Sequence, residues 1–294
     1  MGVPEGADLL VGNGSDEIIQ LLAMALAVPG GSIVAPDPSF AMYRMIATFL
    51  GLKFVGVPLG SNFSLDAAAM VAAVEENQPA LAFVAQPNNP TGNLFEPEAV
   101  RSVVRNAPGV VVVDEAYFPF TDETLLGSVL DYPNLLVMRT VSKLGLAGLR
   151  LGFLVGAPRW IAELDTLRMP YNVNTLTQVS ADFALRHGEV LTEQSRRIRR
   201  DRRGLIEALQ RIGGLTVFPS EANFVLFKVP SGSAGALFQA LRDRRVLVKN
   251  LNGAGGALTD CLRVTVGAPA EIEQFLAALR DALSEYSFGR VGAT

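Results

Sequence analysis

Gly109-Val110-Val111-Val112-Val113-Asp114-Glu115-Ala116-Tyr117 contains the clearest predicted strand of the chain. Its valines are β-branched throughout, and a continuous apolar run of this kind is typical of a parallel strand that is covered on both faces. Strand and helix patterns alternate over residues 8–155, which predicts right-handed crossovers over a mostly parallel sheet. The run ends on Asp114, and open α/β sheets bind ligands beyond the carboxyl ends of their strands.

Lys143 lies in the loop that follows another predicted strand, Thr140-Val141-Ser142-Lys143-Leu144-Gly145-Leu146-Ala147-Gly148-Leu149-Arg150. The chain has only four lysines, and arginine carries nearly all of its positive charge, so lysine is not its default surface residue. A lysine in a glycine-punctuated loop between apolar strands is partly desolvated, which frees its amine to attack a carbonyl and form a Schiff base. A surface lysine beside a turn is the alternative that this loop alone leaves open.

A pair of asparagines between two prolines follows the predicted strand at residues 80–85. In Gln86-Pro87-Asn88-Asn89-Pro90-Thr91-Gly92, the prolines enforce an extended, rigid turn that aims a side-chain amide at a fixed point. Asn89, Asp114 and Lys143 thus each follow a separate predicted strand at its carboxyl end. Because these ends meet at one edge of a parallel sheet, we expect the three side chains to converge on one crevice.

Two helix starts near the predicted sheet offer further binding groups. The stretch Gly12-Asn13-Gly14-Ser15-Asp16-Glu17 opens an apolar helix, and the free N–H groups at the positive end of a helix dipole can bind phosphate. A plain capped turn explains the same residues equally well. Tyr43 lies in the first turn of the next predicted helix, at residues 40–50, where its ring faces either a flat ligand or the protein core.

Length and pattern predict a large domain followed by a smaller one. The chain has 294 residues, enough for both. We expect a three-layer α/β/α domain with a mostly parallel sheet at residues 1–205, and a smaller α+β domain at residues 206–294. A long helical region at residues 175–212 connects them, and a closing helix at residues 271–284 carries an apolar stripe. Short strands of the second domain are predicted at residues 215–218, 222–229, 245–249 and 261–266.

Composition argues against several kinds of site and partner. The single histidine, His187, lies at a polar helix end, so Ser-His-Asp triads and multi-histidine metal sites are excluded. The single cysteine, Cys261, permits no intrachain disulfide, and no apolar run approaches the ~20 residues of a membrane span. The first residues lack the features of a signal peptide, so we expect a cytoplasmic protein. The arginine run at residues 196–203 lies among glutamates in a chain of net charge −4, which favours an ion-paired face over a nucleic-acid site.

Taken in order along the chain, these motifs resemble those of the fold-type I aminotransferases that depend on pyridoxal 5′-phosphate. The matching stretches lie at residues 12–17, 38–43, 87–92, 114–117, 142–150 and 262–267. Each is weak alone, whereas the ordered set covers most of the chain and is specific for the superfamily. The resemblance implies the three-layer α/β fold of that family and a transaminase activity.

The resemblance also implies a role for each matching residue. Lys143 would bind the cofactor as a Schiff base and move a proton between the substrate and the cofactor. Asp114 would pair with the pyridine nitrogen, and Asn89 and Tyr117 would hydrogen-bond the ring hydroxyl oxygen. Tyr43 would stack on the ring. The remaining implied ligands are Gly14, Ser15, Asp16, Ser142 and Arg150 for the phosphate, and Arg263 and Asn174 for the substrate.

As partners, the resemblance implies an amino donor, a 2-oxo acid acceptor and a second copy of the chain in a homodimer. Softer features at residues 220–224 and 246–250 favour a member with a phosphorylated amine substrate, in which case Arg263 meets either the glutamate carboxylate or the phosphate. Family members normally carry a further segment before the position of Met1, so we expect that this chain lacks part of the small domain. An aromatic amino acid aminotransferase and a non-catalytic cofactor-binding module are the alternative interpretations.

Overall fold

A computed structural model describes residues 2–291, with side chains described through residue 285. It divides the chain into two compact units. The first contains the residues up to 89 together with 93–195, and the second contains 90–92 together with the residues from 196 onward. Among the residues described, no helix is long and apolar enough to cross a membrane.

The first unit is organised on a seven-stranded sheet. Its strands are β1 (Asp8–Gly12), β2 (Ser32–Asp37), β3 (Lys53–Pro58), β4 (Leu81–Ala85), β5 (Val110–Asp114), β6 (Leu135–Thr140) and β7 (Gly152–Gly156). They lie in the order β1-β7-β6-β5-β4-β2-β3. All pairs from β6 to β3 are parallel, and β7 runs antiparallel to both of its neighbours, so the sheet is mostly parallel, as predicted.

Helices cover both faces of this sheet, because its central strands are apolar on both sides. The helices are α1 (Ser15–Ala25), α2 (Ala41–Phe49), α3 (Ala67–Asn77), α4 (Pro97–Asn106), α5 (Pro158–Leu167) and α6 (Thr175–Arg186). One core joins α1, α2 and α5 to side chains such as Phe83 and Val112. Successive strand residues point to opposite faces, so Val111 and Val113 lie on the other face, where α3 and α4 contact the sheet. The three-layer α/β prediction is confirmed.

The predicted helical region at residues 175–212 is divided in two. Helix α6 ends at Arg186, and α7 (Gly188–Gln210) begins two residues later. Between them, His187 leaves the helical conformation with φ −105° and ψ 34°, and its N–H donates to the carbonyl of Ala184. The predicted domain boundary after residue 205 lies inside α7, whereas the structural division lies between residues 195 and 196.

The second unit contains a four-stranded antiparallel sheet with the order β10-β11-β9-β8. Its further elements are β8 (Thr216–Val217), β9 (Phe224–Lys228), α8 (Ala234–Asp243), β10 (Lys249–Asn250), β11 (Cys261–Thr265) and α9 (Pro269–Val291). Phe275 and Leu279, from the predicted apolar stripe of α9, pack in its core with Phe227. Helix α8 was absent from the sequence-based expectations.

A buried ion pair joins the ends of β5 and β6. Arg139 Nε and Nη2 lie 2.9 and 2.7 Å from Glu115 Oε2, and both side chains are at least nine-tenths buried. The carboxylate also accepts hydrogen bonds from the Thr124 hydroxyl and the Leu125 N–H. Arg139 stacks on the ring of Phe118 at 4.4 Å. Since both charged side chains are removed from water and hydrogen-bonded to each other, the pair ties the two strand ends together firmly.

Removing one partner of this pair leaves the other charge buried, so Arg139→Met should lower the free energy of unfolding by about 3–5 kcal/mol. Trp160, the single tryptophan, lies in the same unit, and its fluorescence during urea unfolding provides the measurement. Arg186→Met is the matched control, because its ion pair with Asp182 is exposed and should contribute less than about 0.5 kcal/mol.

The double variant Glu115→Gln, Arg139→Met has no buried charge at this position. It should therefore be more stable than Arg139→Met alone. Equal stability losses for Arg139→Met and Arg186→Met would contradict the assigned role of the buried pair.

Candidate active site

The carboxyl ends of β4, β5 and β6, which are neighbours in the sheet, open onto one cleft. Asn89 follows β4, Asp114 ends β5, and Lys143 follows β6, and all three line this cleft. Tyr117 and Thr140 line it as well. The parallel order of the strands thus brings together residues that are far apart in the sequence.

Asp114 is a carboxylate held away from water, with an exposure of 5%. Its Oδ1 accepts a hydrogen bond from the N–H of Ala116 at 3.0 Å, and its Oδ2 accepts one from the hydroxyl of Tyr43 at 2.6 Å. Burial raises the pKa of Asp114 from 3.8 to about 6, although the two hydrogen bonds and the charge of Lys143 act in the opposite direction. The cleft therefore contains a carboxyl group that titrates close to neutral pH.

Lys143 lies on a short 3-10 turn, Val141–Leu144, directly after β6. The turn begins at Thr140, whose Oγ1 accepts a hydrogen bond from the N–H of Ser142, and it ends at Gly145 in the left-handed conformation. The Lys143 amine lies 5.3 Å from the centroid of the Tyr117 ring. Lys143 is half-buried and lines the same cleft as Asp114, as a nucleophile for a carbonyl requires.

The amino end of α1 forms another part of the cleft, lined by Ser15, Asp16, Ser142 and Arg150. The first N–H groups of a helix have no partner within it, and no side chain caps those of α1. Gly14, with φ +83°, approaches the Arg150 guanidinium so closely that a Cβ would lie 2.6 Å from Nη2. Arg150 also pairs with Asp16 at 3.3 Å. Helix N–H groups beside a guanidinium form an anion-binding site.

A hydrogen-bond network that the sequence did not reveal stabilises the loop before α1. Glu17 Oε2 accepts from the N–H of Asn13 at 2.6 Å and from Nδ2 of Asn172 at 2.7 Å. Asn13 in turn donates to the carbonyl of Asn172 at 3.1 Å. The loop before α6 is thereby attached to the loop before α1. Sequence alone offered no signal for the contact, since 155 residues separate Glu17 from Asn172.

The structure does not place Tyr43 in the wall of the cleft, although the resemblance implied that it stacks on a bound ring. Tyr43 is 1% exposed and stacks on Phe83, with centroids 4.4 Å apart and planes 2° apart. Phe40, half-buried and three residues earlier, is the aromatic residue from this segment that lines the cleft. The difference arises because α2 begins at Ala41, which turns Tyr43 toward the sheet and leaves Phe40 before the first turn.

Asn88, rather than Asn89, fixes the proline-flanked turn. It is fully buried, its Nδ2 donates to the carbonyl of Pro38, and its Oδ1 accepts from the Ser39 hydroxyl at 2.8 Å. These contacts leave Asn89 half-buried on the cleft. The two asparagines of the turn thus have different roles. Asn88 holds the turn in place, and Asn89 faces the cleft.

The two predicted substrate ligands lie in different surroundings. Asn174 is the N-cap of α6, where its Oδ1 accepts from the N–H of Thr177 at 2.9 Å, and it does not line the cleft. Arg263 belongs to β11 of the second unit, where its guanidinium lies 4.5 Å from the centroid of the Phe224 ring. The described residues contain no group of three or more His, Cys, Asp or Glu side chains arranged to hold a metal ion.

Comparison with known proteins identifies related sequences over most of the chain. The family model "Aminotransferase class I and II" matches residues 3–279. A protein of Nitrosococcus oceani named histidinol-phosphate aminotransferase 2 is 54% identical over 280 residues, which cover 95% of this chain and 78% of that protein. A protein of Cupriavidus pinatubonensis with the same name is 52% identical over 290 residues, covering 97% and 79% of the two chains.

Solved structures agree with this grouping. The histidinol-phosphate aminotransferase from Clostridium acetobutylicum superposes with a TM-score of 0.88 at 25% identity, covering 96% of this chain and 85% of that chain. The histidinol-phosphate aminotransferase from Sinorhizobium meliloti, solved in complex with pyridoxal 5′-phosphate, gives a TM-score of 0.86 at 25% identity, covering 95% and 77% of the two chains.

The buried carboxyl group makes stability depend on pH. Because folding raises the pKa of Asp114 from 3.8 to about 6, the folded state binds the proton more tightly, and stability falls as pH rises through that window. Asp114→Asn removes this titration. In cofactor-free protein, its free energy of unfolding relative to wild type should therefore increase by about 1–2 kcal/mol between about pH 5 and pH 7.5.

Urea unfolding followed at several pH values provides this measurement. Asp182→Asn is the matched control, because the Asp182 side chain is 63% exposed and its loss should leave the pH dependence of wild type unchanged. An identical pH dependence for Asp114→Asn and wild type would show that Asp114 is not the desolvated group described above.

Proposed function

The chain belongs to the class I and II aminotransferases, and we propose that it uses pyridoxal 5′-phosphate to transfer an amino group between L-histidinol phosphate and 2-oxoglutarate. The observation that carries this proposal is the presence of Lys143 and Asp114 in one cleft beside an anion-binding helix end. The substrate is inferred from relatives about half identical in sequence that carry the name histidinol-phosphate aminotransferase.

The residues of the cleft fit the parts of this cofactor. Its phosphate suits the first N–H groups of α1 and the side chains of Ser142 and Arg150. Gly14 supports the fit, because a Cβ there would occupy the space beside the Arg150 guanidinium. A pyridine ring suits the carboxylate of Asp114, and Phe40 offers an apolar wall.

When bound, pyridoxal phosphate supplies an electron sink that accepts charge from the substrate carbon. Asp114 would hold the proton on the pyridine nitrogen, because an anionic carboxylate in a dry site stabilises a cationic ring. Asn89 and Tyr117, which line the cleft, would orient the ring. Lys143 would hold the cofactor through its amine, and its Nζ would carry the proton to and from the substrate carbon.

Arg263 is the proposed contact for the substrate's anionic end. A guanidinium binds carboxylate and phosphate in the same two-pronged manner, so it can receive both glutamate and a phosphorylated amine. An aromatic amino acid aminotransferase remains the second candidate, and it requires the same Lys143 and Asp114. We also propose a cytoplasmic location, consistent with the single, buried cysteine, Cys261.

Single-turnover absorption spectroscopy tests the proposed reaction. The protein with cofactor bound should lose its visible cofactor band on addition of L-histidinol phosphate, at least tenfold faster than with phenylalanine, and should regain it with 2-oxoglutarate. Lys143→Ala should lack both the band and the response. Asp114→Ala should retain some cofactor but lose more than about 99% of turnover, equivalent to ~2.7 kcal/mol or more.

Lys53→Ala is the control for these variants, because Lys53 is an exposed lysine of the same unit whose amine contacts Asn77. It should leave the band and the turnover unchanged. A faster response to phenylalanine would favour the aromatic enzyme. A visible band without any response to an amino donor would favour a non-catalytic cofactor-binding protein.

We further propose that the enzyme is a homodimer that uses the exposed face of α6. Leu176, Val179 and Phe183 are spaced to form one stripe on this helix, and their exposed fractions are 79, 65 and 66%. Tyr171, in the loop before the helix, is 96% exposed. Clustered apolar side chains of this size on a surface mark a site of protein association.

Phe183→Asp should therefore shift the protein from dimer to monomer, because a charge at the centre of an apolar interface is costly to desolvate. Light scattering after size-exclusion chromatography measures the mass. Leu247→Asp, at an 80% exposed apolar position of the second unit, is the control and should remain dimeric. A dimer that withstands Phe183→Asp would exclude this face as the interface.

A further inference from the structure

Tyr43 has a buried hydroxyl group that contacts Asp114 directly behind the cleft. Its hydroxyl donates to Asp114 Oδ2 at 2.6 Å, while Oδ1 of the same carboxylate accepts from the N–H of Ala116. The Tyr43 ring stacks on Phe83 and meets the edge of Phe40, with centroids 5.6 Å apart. The residue therefore reaches Asp114 from inside the protein, on a ring that packing holds in place.

We propose that Tyr43 is a positioning residue that keeps Asp114 ionised and aimed into the cleft, so that the carboxylate can hold a proton on the pyridine nitrogen. The inference rests on the proposed function for the identity of the ring. It assigns to Tyr43 a role that acts through Asp114 rather than through stacking on the cofactor.

Hydrogen-bond chemistry supports this role. A phenol donates one hydrogen bond, and donation to a carboxylate is stronger than donation to a neutral carboxyl group, so the contact favours the ionised form of Asp114. The pKa of Tyr43 is raised well above its usual value, first by burial and then by Asp114, so the hydroxyl keeps its proton at neutral pH and remains a donor.

The other charged and titratable groups around this contact come from three elements. Lys143, after β6, opposes the charge of Asp114 and lowers its pKa, whereas Asp16 of α1 raises it slightly. Tyr117, the residue after Ala116, also acts on Tyr43. Among the influences that favour ionised Asp114, the hydrogen bond from Tyr43 is the largest, and the one from Ala116 comes next.

The titration of Asp114 in cofactor-free protein tests this role. The free energy of unfolding is followed with pH for four proteins: wild type, Asp114→Asn, Tyr43→Phe and the double variant. Wild type is compared with Asp114→Asn, and Tyr43→Phe is compared with the double variant. In each pair, the pH dependence of the difference in the free energy of unfolding yields the pKa of Asp114 in the folded state. Tyr43→Phe retains the ring and its packing on Phe83 but removes the donor, so this pKa should rise by about one pH unit, equivalent to ~1.4 kcal/mol.

The same variant is then tested with cofactor. Its dissociation constant for pyridoxal 5′-phosphate should rise about tenfold at neutral pH, equivalent to ~1.4 kcal/mol. The acid limb of its kcat profile should move to higher pH in step with the Asp114 titration. Tyr132→Phe removes another tyrosine hydroxyl of the same unit, away from the cleft, and should change neither quantity.

An unchanged Asp114 titration in Tyr43→Phe would overturn the proposal, because a loss of packing alone does not depend on pH. A shifted titration with unchanged cofactor affinity would overturn it as well, since the contact would then have no effect on the ring. Wild-type protein that binds the cofactor without transaminating would defeat the proposed function and leave the role of Tyr43 standing.

Discussion

A negative charge kept out of water at the end of a central strand is the constraint on which the rest of the cleft depends. An isolated buried carboxylate is too costly to persist, so the protein must supply compensating groups around Asp114. It supplies a hydroxyl from α2, a backbone N–H from the turn after β5, and the positive charge of Lys143 from the turn after β6. Because each comes from a different element, the layers must pack together before the carboxylate is tolerated.

The alternation of strand residues separates this chemistry from the structure that holds it. In the register of β5 and β6, Asp114 lies opposite Met138, so the next residues along, Glu115 and Arg139, face each other on the opposite side. Thr140 returns to the side of Asp114 and lines the cleft. Neighbouring residues along β5 and β6 therefore have different roles. Asp114 faces the cleft, whereas Glu115 and Arg139 form an ion pair on the opposite side that holds the two strands together.

Sequence reasoning succeeded where the signal was local and periodic. Apolar runs that end on polar residues located the strand ends, and parallel pairing then required Asn89, Asp114 and Lys143 to meet. The sequence could not show that Tyr43 lies in the core and Phe40 in the cleft. Both residues lie near the start of α2, and moving that start by a single turn would exchange their positions. Contacts between distant segments, such as Glu115 with Arg139, depend on strand register, which a single sequence does not specify.

The charged groups at the other end of the cleft, beside the start of α1, interact more weakly, because they remain half-exposed. Arg150 and Asp16 retain 47% and 46% of their side-chain exposure, and an ion pair in such surroundings contributes only about 0–1 kcal/mol. The pair therefore orients Arg150 beside Gly14 without holding it strongly. On the proposed function, a phosphate would give the guanidinium a stronger, two-pronged partner and the helix N–H groups an anion, so it would replace the Asp16 carboxylate beside Arg150 at little cost.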